Sequence, residues 1–410
     1  MLSPVAPAHG RGGVQDIVWS LARGLAQRGC EVKLVTTGRR DGVEFERRDG
    51  VDLCFLRGVR PMQAVGPWER SSRAQVSDLH RERPFEVIHS QSFCGLHLSG
   101  ALPGVPVVAS PHGTHWDELR TRARLVRESL PGAPLAAAKA ALLWGLMLRR
   151  YDAEGPRLRR ADAVIATSRE QREVLRRRYG IPEAKLHDVW NGIDTRCFAP
   201  RPPDPAVREM LGARSGTPLV LAVARLYQEK GIQHALRAWP RVASAVPGAT
   251  LAVVGDGPYR RALESLAASL GLGGPGSAGR PVRFVGALAL EELPGCYAAA
   301  DAFVNPTVRI NGYDLTILQA MACGKPVVVS NIGSVPTLVT DGADGVLVPP
   351  GDAAGLAARL IEVLRSPERC AALGAAARRT VCERFSLERM VEGTLAVYRA
   401  ARAGVGGEAR

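Results

Sequence analysis

Arg225 and Lys230 stand in the segment 223–231, VARLYQEKG, which closes an apolar run and opens a helical one. Two cations carried on one turn suit a pyrophosphate, because they balance its charge in the bound substrate and again when it departs as a leaving group. Taken alone, the pair is equally compatible with two solvated surface cations. Further along, residues 305–330 read NPTVRINGYDLTILQAMACGKPVVVS. The pattern is a strand end, a glycine turn, a short helix, a Cys323-Gly324-Lys325-Pro326 break and another apolar strand. Gly312 has no Cβ to hold a ligand away from the backbone. A helix over 316–323 would turn its N-terminal N–H groups and the positive end of its dipole toward that loop, a seat for phosphate. Together the two segments imply a phosphorylated, nucleotide-linked substrate.

The first half of the chain offers weaker signals. His9-Gly-Arg-Gly-Gly13 falls between a first strand and a first helix, where Gly12 and Gly13 would let a phosphate or an acceptor approach the backbone. A pair of glycines alone is not specific. Ser110-Pro-His-Gly-Thr-His115 follows an apolar strand, so His112 would hydrogen-bond a sugar hydroxyl or a leaving-group oxygen, with His115 read as surface. Trp190-Asn-Gly-Ile-Asp194 reads as a hinge turn. Gly255-Asp-Gly-Pro258 is a turn whose backbone would either border a base or serve the fold alone. Residues 135–151, LAAAKAALLWGLMLRRY, form an apolar segment too short to span a bilayer; a buried core helix is the favoured reading and a membrane-docking amphipathic helix the alternative.

These residues need elements to hold them. Strands are expected at 30–37, 51–56, 85–90, 105–110, 163–168 and 186–190, with amphipathic helices such as 13–28 and 168–179 between them. The alternation implies parallel strands with crossover helices. Residues 198–205, FAPRPPDP, cannot continue either element and mark the domain boundary. A second series follows, with strands at 218–225, 249–255, 282–285, 301–306 and 326–331. Its helices are expected near 231–245, 259–272, 290–299, 316–323 and 353–364. Residues 270–280 read as a glycine-rich surface loop, and a helix over 386–403 closes the chain. The fold class is therefore α/β, with two Rossmann-like doubly wound domains, 1–200 and 206–385, followed by a C-terminal helix and tail, 386–410. Such domains place ligands at the strand C-termini, here expected to face each other across a cleft. Only about three residues precede the first loop, against the ~5–6 of an ordinary strand. The first strand is either stunted or begins upstream of Met1.

Composition narrows the class without naming it. The 410 residues exceed one ordinary core and fit two domains. The net charge of +14 comes largely from arginine, with 49 of the 54 basic residues, and does not by itself call for a nucleic acid. Residues 1–200 carry 31 basic and 22 acidic side chains, a basic balance that suits an anionic membrane surface or an acidic substrate, although plainly solvated arginines are the favoured reading. The eight cysteines show no metal spacing and several lie in apolar runs, as expected of a reducing compartment. No signal peptide or spanning run is apparent, so a cytoplasmic chain is expected, free or peripheral to the inner face of the membrane.

The order and spacing of Gly12-Gly13, His112, Asn191-Gly192-Ile193-Asp194, Arg225 with Lys230, Gly255-Asp256-Gly257 and 311–326 resemble the GT-B-fold retaining glycosyltransferases of family 4, the glycosyltransferase group 1 superfamily. The resemblance covers nearly the whole chain. It implies a nucleoside diphosphate sugar as donor substrate, held mainly by the C-terminal domain, and a glycan or lipid-linked acceptor held mainly by the N-terminal one. It also implies no metal and no cofactor, since Arg225 and Lys230 match the paired cations that do that work. The implied donor-binding set is Gly12, Gly13, Arg225, Lys230, Gly255, Gly312, Tyr313, Leu315, Thr316 and Gln319; the implied catalytic set is His112, Arg225, Lys230, Asn311 and Asp314. One departure stands out. The family carries two glutamates, roughly E-G-F-G-x-x-x-x-E-A, where this chain has Asn311-Gly-Tyr-Asp-Leu-Thr-Ile-Leu-Gln319-Ala, so both are amides. Gln319 would still hydrogen-bond the nucleotide ribose. Asn311 cannot be a carboxylate nucleophile, which a front-face mechanism does not need. Asp314, an unmatched carboxylate in the loop, would bind sugar hydroxyls or replace part of the lost charge. The resemblance leaves three functions open: a sugar transferase of cell-envelope glycan or glycolipid synthesis, a weakened nucleotide-sugar-binding protein with a regulatory role, or another GT-B enzyme such as a sugar-nucleotide epimerase, with the 311–326 loop pattern arguing for the transferase.

Overall fold

The computed structural model describes residues 1–10, 12–60, 66–129, 145, 153–273, 281–310 and 312–407. Asn311, the apolar segment 135–151 apart from Gly145, and 274–280 of the glycine-rich loop lie outside the described residues. Two compact units emerge. The first comprises Met1–Leu119, Ala133–Gly192 and Phe385–Arg410, the second Arg120–Gly132 and Ile193–Arg384. The proline-dense 198–205 stretch thus belongs to the second unit, where Phe198 packs edge-on to Tyr297 with ring centroids 6.0 Å apart.

In the first unit, strands β1 (Val32–Thr37), β2 (Phe45–Arg48), β3 (Val51–Leu56), β4 (Ile88–Gln91), β5 (Val107–Ser110), β6 (Ala163–Ala166) and β7 (Leu186–Asp188) form two parallel ladders, β1 with β3 and β4-β5-β6-β7. β2 runs antiparallel to β3 at the edge. Sequence reasoning missed it because FERR carries three charges, which suit a solvated edge strand rather than a core one. The expected first strand is present as one residue. Leu2 bridges Val35 of β1 and Ser90 of β4 in parallel, with its N–H donating to the His89 carbonyl at 2.9 Å and its carbonyl accepting from Gln91 N–H at 2.9 Å. The helix Leu387–Gly407 packs on the helix Gly13–Gln27; a Cβ on Gly24 would lie 2.5 Å from Val391 Cγ2, so only glycine allows that approach.

The second unit is one six-stranded parallel sheet: β8 (Leu219–Val223), β9 (Thr250–Val254), β10 (Val282–Gly286), β11 (Ala302–Asn305), β12 (Val327–Ser330) and β13 (Val346–Val348) in the order β10-β9-β8-β11-β12-β13. Apart from β10, nearly every residue of these strands is buried, as expected where helices cover both faces of a parallel sheet. Trp239, Leu236, Val253 and Leu263 lie at the centre of one of those faces. The order reverses between β8 and β11, a topological switch point that opens a crevice at the strand C-termini. β13, at three residues, and the helices Pro67–Glu82 and Pro367–Arg384 were not foreseen from sequence.

Candidate functional site

Three loops meet at the switch point of the second unit. The β8 loop, 224–231, is laced to the β11 loop by Val308 N–H and Thr307 Oγ1, which donate to the Glu229 carbonyl at 2.9 and 3.1 Å. Gly231 has φ +72°, and a Cβ there would lie 1.8 Å from the Pro306 carbonyl oxygen, so the residue is glycine for conformation and for space. The β9 loop joins from the other side. Leu226 N–H donates to the Asp256 carbonyl at 2.8 Å, and a Cβ on Gly255 would lie 1.8 Å from the Ala224 oxygen. Gly255 is therefore required by the packing of two loops.

This lacing brings Lys230 to Asp314. Asp314 occupies the N-cap position of the helix Leu315–Ala322, yet its side chain caps nothing. Instead Oδ1 accepts from Lys230 Nζ at 2.5 Å and from Arg309 Nη2 at 3.1 Å. The carboxylate that looked unmatched in sequence thus has two cationic partners. Burial pushes its carboxyl up, but the charges and hydrogen bonds of Lys230 and Arg309 prevail and hold it at about 2. Lys230 is shifted down despite the ion pair, because burial and the neighbouring Arg309 and Arg225 outweigh Asp314. The cluster therefore carries more positive than negative charge in a site largely closed to water. Arg225 is not buried with Lys230: it is exposed, its guanidinium 5.3 Å from the Tyr227 ring centroid.

Arg309 escaped the sequence reading. It belongs to no motif, and its one signal is a lone arginine five residues before an acidic residue in a glycine turn. Its guanidinium lies against Gly312, where a Cβ would come within 3.0 Å of Nη2. Gly312 itself has φ +84°, and its carbonyl accepts from Ser334 Oγ at 3.1 Å. Beyond it Tyr313 and Leu315 are buried, Thr316 is half-buried and Gln319 is buried one turn further on, its Oε1 accepting from Tyr297 OH at 2.8 Å.

In the first unit Gly12 is the N-cap of the helix Gly13–Gln27 and Gly13 its exposed first residue, where a Cβ would meet nothing within 4 Å. His112 follows β5 and is buried; its Nε2 lies 2.7 Å from Gln91 Oε1 at the end of β4. The chain of polar contacts continues inward. Gln91 Nε2 is 3.3 Å from both ring nitrogens of His89, whose Nε2 lies 2.7 Å from Ser110 Oγ and whose Nδ1 lies 2.6 Å from Tyr398 OH. Burial lowers His112 to about 4 and His89 to about 3, so both rings are neutral at pH 7. The loop is braced from below by Gln171 Nε2, which donates to the Pro111 carbonyl at 2.6 Å. His115 is not a simple surface residue, since its Nδ1 pairs with the buried Glu154, which also accepts from Tyr179 OH at 2.7 Å. In the 190–194 turn, a Cβ on Gly192 would lie 2.2 Å from the Ser386 oxygen, where the C-terminal segment re-enters this unit. Among the described residues no group of three or more His, Cys, Asp or Glu side chains is placed to hold a metal, and no helix is long and apolar enough to cross a membrane.

Residues 217–366 match the family described as Glycosyl transferases group 1, and residues 11–196 match Glycosyltransferase Family 4. The chain is similar to the GDP-mannose-dependent alpha-(1-6)-phosphatidylinositol monomannoside mannosyltransferase of Mycolicibacterium smegmatis, at 35% identity over 53% of this chain and 57% of that one. It thus spans little more than half the length of that relative. It is similar over a longer stretch to the alpha-maltose-1-phosphate synthase of the same organism, 32% identical over 80% of this chain and 82% of the other. Among solved structures, the sucrose-phosphate synthase of Thermosynechococcus elongatus superposes with a TM-score of 0.76, covering 96% of this chain and 94% of that one at 24% identity, a likeness of fold.

Proposed function

Because the chain belongs to the glycosyltransferase group 1 family, we propose that it is a retaining, metal-independent glycosyltransferase that moves a hexose from a nucleoside diphosphate donor to an acceptor hydroxyl. The observation that carries this reading is the gathering of Lys230, Arg309 and Arg225 at the switch point, beside the N-terminus of the helix Leu315–Ala322. Since the Asp314 side chain does not cap that helix, its first N–H groups are left for the distal phosphate. Lys230 moves from Asp314 to the diphosphate, Arg309 retains the carboxylate, and Arg225 adds charge at the exposed side. These cations supply the neutralisation that a divalent metal would otherwise give. Loop 311–316 grips the sugar and distal phosphate, and Gln319 addresses the ribose.

An amide at 311 offers no carboxylate nucleophile, so retention proceeds on one face of the sugar. The anomeric carbon–phosphate oxygen bond breaks, the acceptor oxygen bonds the anomeric carbon from the same side, and its proton passes to the departing phosphate oxygen. His112 and the Gly12-Gly13 turn serve the acceptor side. Cell-envelope glycans and glycolipids fit as acceptors, in keeping with the mannosyltransferase relative and the basic first half, and docking at the inner membrane face goes with them.

Nucleoside diphosphate release from a panel of UDP-, GDP-, ADP- and dTDP-sugars tests the donor half without an acceptor. Release from one donor that falls roughly a hundredfold or more in Lys230→Ala is expected. Nucleotide binding in the absence of release or transfer would favour the binding-only protein.

A further inference from the structure

Gln319 is 6% exposed and lies on the same helix face as Thr316, one turn along. A ligand that seats its phosphate at the start of that helix therefore meets Gln319 next. What Gln319 presents to it depends on Tyr297. Tyr297 is fully buried on the helix Leu293–Ala299, and its hydroxyl has one hydrogen-bond partner among the described residues, Gln319 at 2.8 Å. A buried hydroxyl proton without an acceptor is costly, so the proton goes to Gln319 Oε1. That choice fixes the amide, since the opposite orientation would turn N–H groups onto the hydroxyl and leave its proton without an acceptor. The Gln319 Nε2 makes no protein hydrogen bond among the described residues and is not one of the fully covered polar atoms.

We propose that Tyr297 is a positioning residue that inverts the polarity of the ribose contact: Gln319 offers Nε2–H as a donor to a ribose oxygen, where a carboxylate at this position would demand a hydroxyl proton. The inference rests on the donor-site reading above. The two cases differ chemically. A carboxylate needs the ribose group to donate, whereas an amide N–H needs it only to accept, so the site tolerates an O-alkylated ribose and rejects a deoxy one.

The test uses UDP, GDP and ADP with their 2′- and 3′-deoxy and 2′- and 3′-O-methyl forms, with binding followed by calorimetry. At one ribose position the O-methyl form of the preferred nucleotide is expected to bind within about threefold of the parent, while the deoxy form binds about tenfold more weakly. Gln319→Glu should reverse this, with the O-methyl form losing at least as much as the deoxy form. Tyr297→Phe should narrow the O-methyl over deoxy preference, because the amide is then free to turn, an effect that a purely structural role for Tyr297 would not produce. A wild type that loses O-methyl and deoxy forms equally, or variants that leave the preference unchanged, overturns the inference. If no parent nucleotide binds, the donor-site reading falls as well. If the parent binds and Lys230→Ala abolishes it while the preference is absent, the inference alone falls.

Discussion

Lys230 Nζ and Asp314 Oδ1, 84 residues apart in the chain, meet at 2.5 Å with side chains 13% and 8% exposed. The contact ties the β8 loop to the N-terminus of the helix Leu315–Ala322, and it uses the cation that a diphosphate would need. A buried ion pair of this kind contributes little net stability, because desolvation offsets most of the attraction. Its consequence is electrostatic: a fixed negative charge beside the proposed diphosphate seat.

Asp314→Asn removes that charge and keeps the shape. Nucleoside diphosphate affinity is expected to rise about tenfold, since Lys230 no longer has to leave a carboxylate, and turnover is expected to fall as the product is held longer. Calorimetric affinity and steady-state turnover measured on one preparation check both directions. Unchanged affinity together with unchanged turnover would remove Asp314 from the site.

Gly231→Ala probes the lacing that builds the site. The new Cβ would meet the Pro306 oxygen at 1.8 Å, and φ +72° disfavours any side chain. Moving that backbone is expected to cost about 2–4 kcal/mol and to lower the melting temperature by several degrees. Nucleotide affinity should fall with it, because Lys230 is the preceding residue. A melting temperature within a degree of wild type would mean the two loops are not rigidly joined.

Much of this architecture was legible in the sequence. The β8 to β12 strands announce themselves as apolar runs bounded by glycine and proline, and Gly231, Gly255 and Gly312 mark the places where loops crowd or turn. The pairing within the site was not. Arg309 sits in no motif, and its part became visible only once the chain placed it against Gly312 and Asp314. Gln91 and Tyr398, which stand behind His112, were equally hidden: a single glutamine at a strand end and a tyrosine on a helix 307 residues later have no spacing to notice. Local periodicity records which face is buried, whereas side-chain networks depend on long-range register, which a single sequence leaves implicit.

The buried histidines predict a stability profile on the acid side. His112 and His89 titrate at about 4 and about 3 in the folded chain, against 6.5 for an exposed imidazole. Between these values the unfolded chain binds the protons, so stability is complete above pH 6.5 and is lost as pH falls toward 4. The shift at His112 alone corresponds to a loss on the order of 3 kcal/mol across that window. Asp314, held at about 2 against an ordinary 3.8, adds a further loss only below pH 4. Melting temperature should therefore drop between pH 6.5 and 4.5, and a His112→Asn, His89→Asn double variant should flatten that part of the curve. An equal slope in the variant would assign the loss to other groups.

Arg309 and Asp314 are best separated by a double-mutant cycle. In Arg309→Gln the carboxylate has Lys230 as its one remaining cationic partner among the described residues, so the ion pair tightens and the diphosphate must compete harder. Affinity for the nucleoside diphosphate is expected to fall about tenfold. Adding Asp314→Asn removes the competitor, so the double variant should bind about as tightly as Asp314→Asn alone, roughly tenfold above wild type, whereas additive effects would only restore the wild-type value. If Arg309 instead bound the phosphate directly, the loss would persist in the double variant and the two effects would add. Arg309 would then belong with Lys230 as a contact to the leaving group, and Asp314 would no longer explain its place in the loop.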